Sequence, residues 1–509
     1  MNSRREGRPE GAGQWWMLAA LVVAAFLIRL PGLFAPAAWI DESASIAVGQ
    51  LPWSVVLGEM ARIEASPPGY YAIAKVMGAV AGPGAVPLRL LSAAAAALAV
   101  VPVWLFCRAA FGLRAAWLGA VLVALNAALL RLSQDGRTYA VLFLLFCCAL
   151  LAAWRLVEAA REGRAGLGAV AGLGATQGAV LWLHHTAAIG NVGLNVFVLA
   201  ALLAGRAGVL RGAVLLAGAD ALGLLVGGAP IYWALGHALG GEFVMGWLQP
   251  PNLVVAAQAY VYGVVAPFHA PLTLVTILAS AVALLGGVLA WRRPGWPGRV
   301  ALAVLLGVCG VLFPLLSQAW PMMMDRTVLF LVAPLAAGVA AGVALLPRAG
   351  FAAAALLLVG LHAHGAVALR HWPAEKEPWR DVVAELRARL APGDRVVVTD
   401  SVFALVSLRL AGGGGFDALV VPATSRLESR AAVLVAPAAA VSPAGLCDRL
   451  RGAGRVWIVT RPPPASVAED PHYSSRPAVL AALRDAAGER VEQVPAGTLL
   501  LEAWRVPGC

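Results

Sequence analysis

The sequence predicts a polytopic α-helical membrane protein with a small α/β domain at its C-terminal end. Three observations predict it. The chain of 509 residues is 61% hydrophobic and only 13% charged, against about 25% charged in an ordinary soluble domain. Apolar runs of about 20 residues, the length an α-helix needs to cross a bilayer, recur through the first 370 positions. After residue 370 the pattern changes to short apolar runs alternating with amphipathic ones. The long runs are continuous in Ala, Leu, Val and Gly, which excludes a transmembrane β-barrel with its two-residue alternation.

The apolar runs give eleven spans: 15–34, 87–106, 115–132, 138–154, 166–183, 187–205, 212–233, 270–290, 300–318, 327–346 and 350–369. The first follows Arg4, Arg5 and Arg8 and is too long for the core of a cleaved signal peptide, so it reads as a retained anchor. With the N-terminus in the cytoplasm, the inside segments hold those three arginines. They also hold Arg108 and Arg114, Arg155, Arg161 and Arg164, Arg206 and Arg211, Arg292, Arg293 and Arg299, and Arg348. The long outside loop at 234–269 holds no Lys or Arg. The positive-inside rule therefore fixes the orientation, and an odd number of spans leaves the C-terminal segment outside.

The net charge of +11 invites a nucleic-acid reading, which its distribution excludes. Residues 1–370 hold 22 basic and 12 acidic residues, a net +10, and residues 371–509 hold 16 and 15, a net +1. The excess lies in the membrane part, where arginines set topology, and no soluble face interleaves basic with aromatic residues.

Residues 1–370 thus form a membrane domain and 371–509 an extracytoplasmic one. In the latter, "DRVVVTD" (394–400) and "RVWIVTR" (455–461) predict buried strands, and 378–390 and 475–488 predict amphipathic helices, the alternation of an α/β domain. "GGGG" at 412–415 is a turn without the phosphate-binding glycine pattern. Of six cysteines, Cys107, Cys147, Cys148 and Cys309 lie in or beside apolar helices as small hydrophobes. Cys447 and Cys509 fall in the outer domain, where an oxidising compartment would let them pair. No Cys/His zinc spacing is present.

Away from the cytoplasmic arginines, the polar residues of the membrane part collect on the exterior side. Asp41 and Glu42 follow span 1 in the loop 35–86, which also holds "EASPPGYYAIAK" (64–75). "RLSQDGRTYA" (131–140) joins spans 3 and 4, "LHHT" (183–186) joins spans 5 and 6, and "SQAWPMMMDRT" (317–327) joins spans 9 and 10. Taken singly, each has an ordinary role: a helix cap, an arginine snorkelling to headgroups, an aromatic belt. Together they describe carboxylates beside cations able to hold a phosphate, at a depth where charges are expensive.

The motifs W-x-DE (39–42), SPPGYY (66–71), SQDGRTY (133–139), HH (184–185) and P-x-x-x-DR (321–326), in this order, resemble those of the GT-C glycosyltransferases. The branch concerned is the bacterial one of lipid A aminoarabinose transferases and protein O-mannosyltransferases. "KEPWRDVVAELRARLAPGDRVVV" (376–398) resembles the opening of the outer domain in the same proteins. The resemblance implies a GT-C-like fold of about eleven transmembrane helices. It also implies an inverting glycosyltransferase of the cell envelope, acting at the outer face of the bacterial cytoplasmic membrane. Its donor would be a polyprenyl-phosphate-linked sugar and its acceptor a glycolipid, as in lipid A modification, a polysaccharide or a protein.

Carried over, Asp41 is the catalytic base with Glu42 beside it, and Asp135 is a second acidic position. Lys75, Arg137, Tyr139 and Arg326 hold the donor phosphate, and Tyr70, Tyr71, His184 and His185 line the cavity. Some branches add a divalent metal on an acidic pair, here Asp41 and Glu42. The sequence departs from the pattern at Thr327, where relatives carry tyrosine, and at Asp135-Gly136, where they carry glutamate. Two other readings are a polyprenyl-lipid transporter or flippase and a non-catalytic envelope assembly protein. The first calls for midplane polar residues and inverted repeats, which are not evident. The second calls for loss of the carboxylate, which this chain keeps.

Overall fold

The computed structural model describes residues 10–63, 67–239, 248–265, 271–369, 376–462 and 468–509. Arg4, Arg5 and Arg8, residues 64–66 of the "EASPPGYYAIAK" segment, and parts of the 234–269 segment lie outside the described residues. The chain divides into two compact units. The first comprises residues 1–31, 90–231 and 250–372, and the second 32–89, 232–249 and 373–509. Residues 32–89, which include the loop 35–86 that the sequence reading gives to the membrane domain, thus group with the C-terminal sheet.

The described residues of the first unit are built of helices and the turns between them. Seven helices among the described residues are long and apolar enough to cross a membrane: Ala85–Phe111, Tyr139–Arg161, Ala187–Gly205, Val209–His237, Trp296–Ala319, Asp325–Val343 and Arg348–Ala368. Gly13–Leu27, Leu113–Leu125, Leu167–Leu183 and Thr273–Leu289 are shorter, and Leu253–Val265 is an additional apolar helix inside the stretch read as a loop. Its eight-residue α-helical part ends in a π-turn, Val261–Val265. A window tuned to 20-residue runs passes over a helix this short.

The core of this unit is built on Trp104, Phe106, Phe143, Phe197 and Phe313. Phe106 meets Phe111 and Trp154 edge-on, with centroids 5.8 and 6.1 Å apart, the geometry aromatic pairs prefer. Small residues let helices touch: a Cβ at Gly342 would collide with the Ala283 carbonyl, as expected where lipid supplies no hydrophobic drive between helices. Cys107, Cys147 and Cys309 are buried and free, as read. Leu210, Leu225 and Val282 stand on exposed helix faces, the faces a bilayer covers. The protein is an integral membrane protein.

The second unit centres on a five-stranded sheet of order β2-β1-β3-β5-β4. Its strands are β1 (Arg395–Asp400), β2 (Ala418–Pro422), β3 (Val456–Thr460), β4 (Glu489–Ala496) and β5 (Leu499–Arg505). β1 pairs parallel with β2 and β3, whereas β5 runs antiparallel to β3 and β4. Alternation splits β1 between two cores. Val396 and Val398 face one with Trp379, Leu386, Leu405 and Trp457, and Val397 faces the other with Leu419, Ile458 and Leu483. The predicted strands and helices stand at β1, β3, Trp379–Arg389 and Arg476–Asp485. The glycine run forms the short 3-10 turn Gly413–Gly415 before β2. Cys447 and Cys509 are disulfide-bonded, with Cα atoms 5.0 Å apart.

The helices Ile40–Gln50, Met60–Ile63 and Gly69–Ala81 belong to this unit. Ala44, Val48, Val56, Met60 and Tyr71 pack into the same core as Trp379, Val398 and Leu405. Gly49 permits the close crossing of Ile40–Gln50 and Gly69–Ala81, since a Cβ there would lie 3.0 Å from the Lys75 backbone nitrogen.

Candidate functional site

In the second unit, Asp41 and Glu42 occupy the first turn of the helix Ile40–Gln50, where the helix dipole favours negative charge. The residue before the helix, Trp39, gives it no side-chain cap. The cap comes from far along the chain instead. The Glu377 carboxylate accepts from the Ile40 backbone N–H at 2.9 Å and from Trp379 Nε1 at 2.9 Å, and Arg461 Nε pairs with its other oxygen at 2.8 Å. Lys376 Nζ lies 4.0 Å over the Trp39 ring. Ser407 Oγ donates to Ser43 Oγ at 2.7 Å. The "KEPW" segment is therefore what holds the start of the carboxylate helix.

The two carboxylates have different surroundings. Glu42 is 0% exposed, and both its oxygens accept from Arg89, Nε at 2.8 Å and Nη2 at 2.6 Å. Arg89 also donates to the carbonyls of Leu33 (3.1 Å), Pro36 (2.9 Å) and Ala37 (2.9 Å). One guanidinium thus fixes both the loop leading into the helix and its first turn. Asp41 is half-buried one position earlier, and its carbonyl accepts from Ser45 Oγ at 3.1 Å. Lys75 donates to the Leu51 carbonyl at 2.7 Å and lies 5.4 Å over the Trp53 ring. It borders a groove of about 460 Å³ with Gly49, Gln50 and Trp53. Tyr70 and Tyr71 are buried, Tyr71 within the apolar core.

The remaining sequence-predicted residues come together in the first unit. Asn126 caps the helix Ala127–Leu132 through the Leu129 N–H at 2.9 Å and donates to the Val264 carbonyl at 2.8 Å. The loop that follows is tied down at several points. Gln134 donates to the carbonyls of Arg29 (3.0 Å) and Pro31 (2.8 Å), Ser92 donates to the Arg137 carbonyl, and Thr138 donates to the Leu183 carbonyl at 3.2 Å. Asp135 is buried in this loop and Arg137 half-buried. Arg131 pairs with Asp325, whose other oxygen accepts the Arg326 backbone N–H at 2.8 Å. Arg326 stands 5.8 Å over the Tyr139 ring, and Tyr139 packs 5.9 Å from His184. Thr327 donates to the Met324 carbonyl at 2.8 Å, so the residue that departs from the family pattern serves as a turn clip.

Burial, and then the neighbouring His185, Arg326 and Arg137, push the His184 imidazole down to about 3; Thr186 Oγ1 lies 2.8 Å from its Nδ1. His184 is therefore neutral across the physiological range. An unfolded chain binds a proton at this residue below its ordinary value of about 6.5, while the folded one does not until about 3. Stability present above pH 6.5 is lost progressively as pH falls towards 3. His184→Gln is expected to lose less melting temperature than wild type between pH 7.5 and 5.0. Equal losses in a thermal-shift comparison would contradict this.

Sequence reasoning missed Arg89, Arg131, Asp325 and Glu377. Arg89 had a legible signal, a lone arginine inside the second apolar run. Glu377 lies in the quoted segment 376–398, but its contact with Ile40, 337 residues away, leaves no local pattern.

Solved structures similar to this chain include two of ArnT and one of an archaeal oligosaccharyltransferase. ArnT from Cupriavidus metallidurans matches in its apo state with TM-score 0.65 and 14% identity, covering 98% of this chain and 99% of that one. The same protein bound to undecaprenyl phosphate matches with TM-score 0.62 and 14% identity, covering 97% and 98%. The Archaeoglobus fulgidus oligosaccharyltransferase in its apo form matches with TM-score 0.53 and 13% identity, covering 88% and 70%. No family model and no curated protein sequence matches. The chain has the fold of ArnT, a polytopic helical membrane part with a small C-terminal sheet.

Proposed function

We propose that this chain is an inverting glycosyltransferase. It moves a sugar from a polyprenyl-phosphate donor to an envelope acceptor, a glycolipid, polysaccharide or protein, at the outer face of the bacterial cytoplasmic membrane. The observation that carries the reading is the end-to-end likeness to ArnT, C-terminal sheet included, 98% of one chain on 99% of the other. ArnT itself is known bound to undecaprenyl phosphate, and the archaeal relative is an oligosaccharyltransferase.

The residues supply matching chemistry. Asp41 takes the proton from the acceptor hydroxyl as that oxygen attacks the anomeric carbon. The bond to the lipid phosphate breaks, and the charge growing on the phosphate is met by Arg137, Arg326 and Lys75, with the Tyr139 hydroxyl as a neutral donor. Asp135 orients the acceptor or the sugar. His184, held neutral, can accept or donate a hydrogen bond without adding charge, and His185, Tyr70 and Tyr71 shape the walls. Glu42 takes a positioning role, because Arg89 occupies both its oxygens. That pairing also fits poorly with a divalent ion on Asp41 and Glu42, which needs carboxylate oxygens turned to the ion. Among the described residues no three His, Cys, Asp or Glu side chains gather as ligands. Every step above uses the chain's own groups.

Purified protein given a polyprenyl-phosphate sugar and envelope extract is expected to release polyprenyl phosphate and glycosylate one acceptor class. Movement of the intact donor across vesicles without hydrolysis or transfer would favour a flippase instead. The reading also assigns the segment after residue 370 to the exterior, in keeping with the Cys447–Cys509 bond, since disulfides persist in oxidising compartments. A phosphatase fused after residue 370 is expected to be active and a cytoplasmic reporter there silent; the reverse pattern would invert the topology.

A further inference from the structure

The first unit carries a polar cluster at membrane depth, which the apolar runs of the sequence do not announce and the transfer reading does not use. Gln177, Asn191, Asn195 and Asp220 meet from three helices, Leu167–Leu183, Ala187–Gly205 and Val209–His237. Gln177, Asn195 and Asp220 lie ten, eight and eleven residues from the starts of their helices, about 12–17 Å along the axis. That is near the middle of a hydrocarbon core about 30 Å thick. We propose that this cluster binds one alkali metal ion.

Small residues hold the first and third of these helices together. A Cβ at Gly174 would lie 2.5 Å from the Ala219 carbonyl oxygen, and one at Gly227 would lie 3.2 Å from Gly178 Cα, the close approach that glycines four apart allow in membranes. The crossing brings Gln177 against the Asp220–Gly223 turn, where its Oε1 would stand 3.6 Å from a Cβ at Gly223. Gln177 Nε2 donates to Asn195 Oδ1 at 2.8 Å. Asn195 Nδ2 donates to both oxygens of Asp220, at 2.9 and 3.0 Å, and Asn191 Nδ2 donates to the Gln177 carbonyl at 3.0 Å.

This network uses up donors and leaves acceptors. Gln177 is 3% exposed, and its Oε1 accepts no hydrogen bond; Asn191 Oδ1 is buried and equally unmet. Asp220 brings a negative charge, and among the described residues no Lys or Arg side chain pairs with it. Arg211 is the one Lys or Arg in the three helices; it lies nine positions from Asp220 and donates to the Arg164 carbonyl. An ionisable side chain inside a membrane helix is rare and marks a functional position, and a buried charge is paired or coordinates a cation. The ligand atoms on offer are all oxygens, which suit hard cations. One positive charge balances Asp220, whereas a divalent ion would leave the cluster charged in a low-dielectric surrounding. A proton on Asp220 would supply a single O–H and leave one of the two amide oxygens unmet; an alkali ion meets both. Asn191, Asn195 and Asp220 are each part-exposed, so the cluster is not sealed against an ion.

The test is equilibrium binding of radiolabelled sodium and, separately, rubidium to the full chain in dodecyl maltoside, with choline chloride holding ionic strength constant. Wild type is expected to retain one ion of at least one kind per chain, and to melt higher in that ion's chloride than in choline chloride. Asp220→Asn, which keeps the size of the side chain and removes its charge, is expected to weaken binding at least tenfold and to melt alike in both salts. If Asp220→Asn loses its thermal transition, Asn191→Leu, which keeps every bond to Asp220, reads the same question: threefold weaker binding supports the site and no change overturns it. Wild type that retains neither ion, or binding unchanged by Asp220→Asn, would overturn the site. So would a wild-type melting temperature that ignores both ions, rises as pH falls and is flat in Asp220→Asn, since a proton would then hold the place.

Discussion

Asp41→Asn is expected to abolish sugar transfer, by roughly 10²–10⁴-fold, while leaving expression and donor binding intact. The substitution keeps the size and planarity of the side chain and removes its basicity. The half-buried side chain sits in the first turn of Ile40–Gln50, and an amide is tolerated there as a helix-start residue, so the fold has little reason to respond. The informative comparison is Glu42→Gln. If Glu42 were the base, that variant would fail to transfer even at temperatures where it stays folded, while Asp41→Asn would still turn over. If Glu42 acts through position, Glu42→Gln loses melting temperature first, and activity falls only as the helix loosens. Wild-type turnover in both variants would remove this carboxylate pair from the mechanism.

Arg89→Ala is expected to destabilise the protein by about 3–5 kcal/mol, the usual cost of stranding one member of a buried ion pair. Glu42 would be left charged and out of water, and the Leu33, Pro36 and Ala37 carbonyls would each lose a donor. Replacing both partners by apolar residues removes the stranded charge, so Arg89→Met/Glu42→Leu is expected to melt above Arg89→Ala. It is not expected to reach wild type, because the three carbonyls remain unmet. A double variant no more stable than Arg89→Ala would mean that the carbonyl bonds, rather than the pair, carry the effect.

The membrane helices were legible because their signal is local: length, apolarity and flanking arginines all lie within a 30-residue window. So were β1 and β3, whose valine runs are buried on both faces. β4, "ERVEQVPA", was not legible, because it is half polar, exposed along much of its length and ends near Pro495; pairing with β5 makes it a strand. At the site, the motif residues of the first unit are gathered by ties across 45 and 194 positions, Thr138 to Leu183 and Arg131 to Asp325. What could not be read was the scaffolding. The difference between Asp41 and Glu42 depends on Arg89, 47 positions from Glu42. The start of the carboxylate helix depends on Glu377, and neighbouring letters in a sequence do not encode such distances.

The cap that Glu377 places on Ile40 also sets a timetable for biogenesis. Synthesis runs at about 5–20 residues per second, so the 337 residues between the two partners take on the order of half a minute to emerge. Through that interval the carboxylate helix has been made, while Glu377, Trp379 and Ser407 do not yet exist. An 11-residue helix is marginal without tertiary support, so its nascent form waits unfolded or in the keeping of a chaperone. A chain released early, before residue 377, would hold every motif residue of the membrane part and still lack an ordered Asp41. On the proposed role of Asp41, such a chain would reach the membrane without an ordered base.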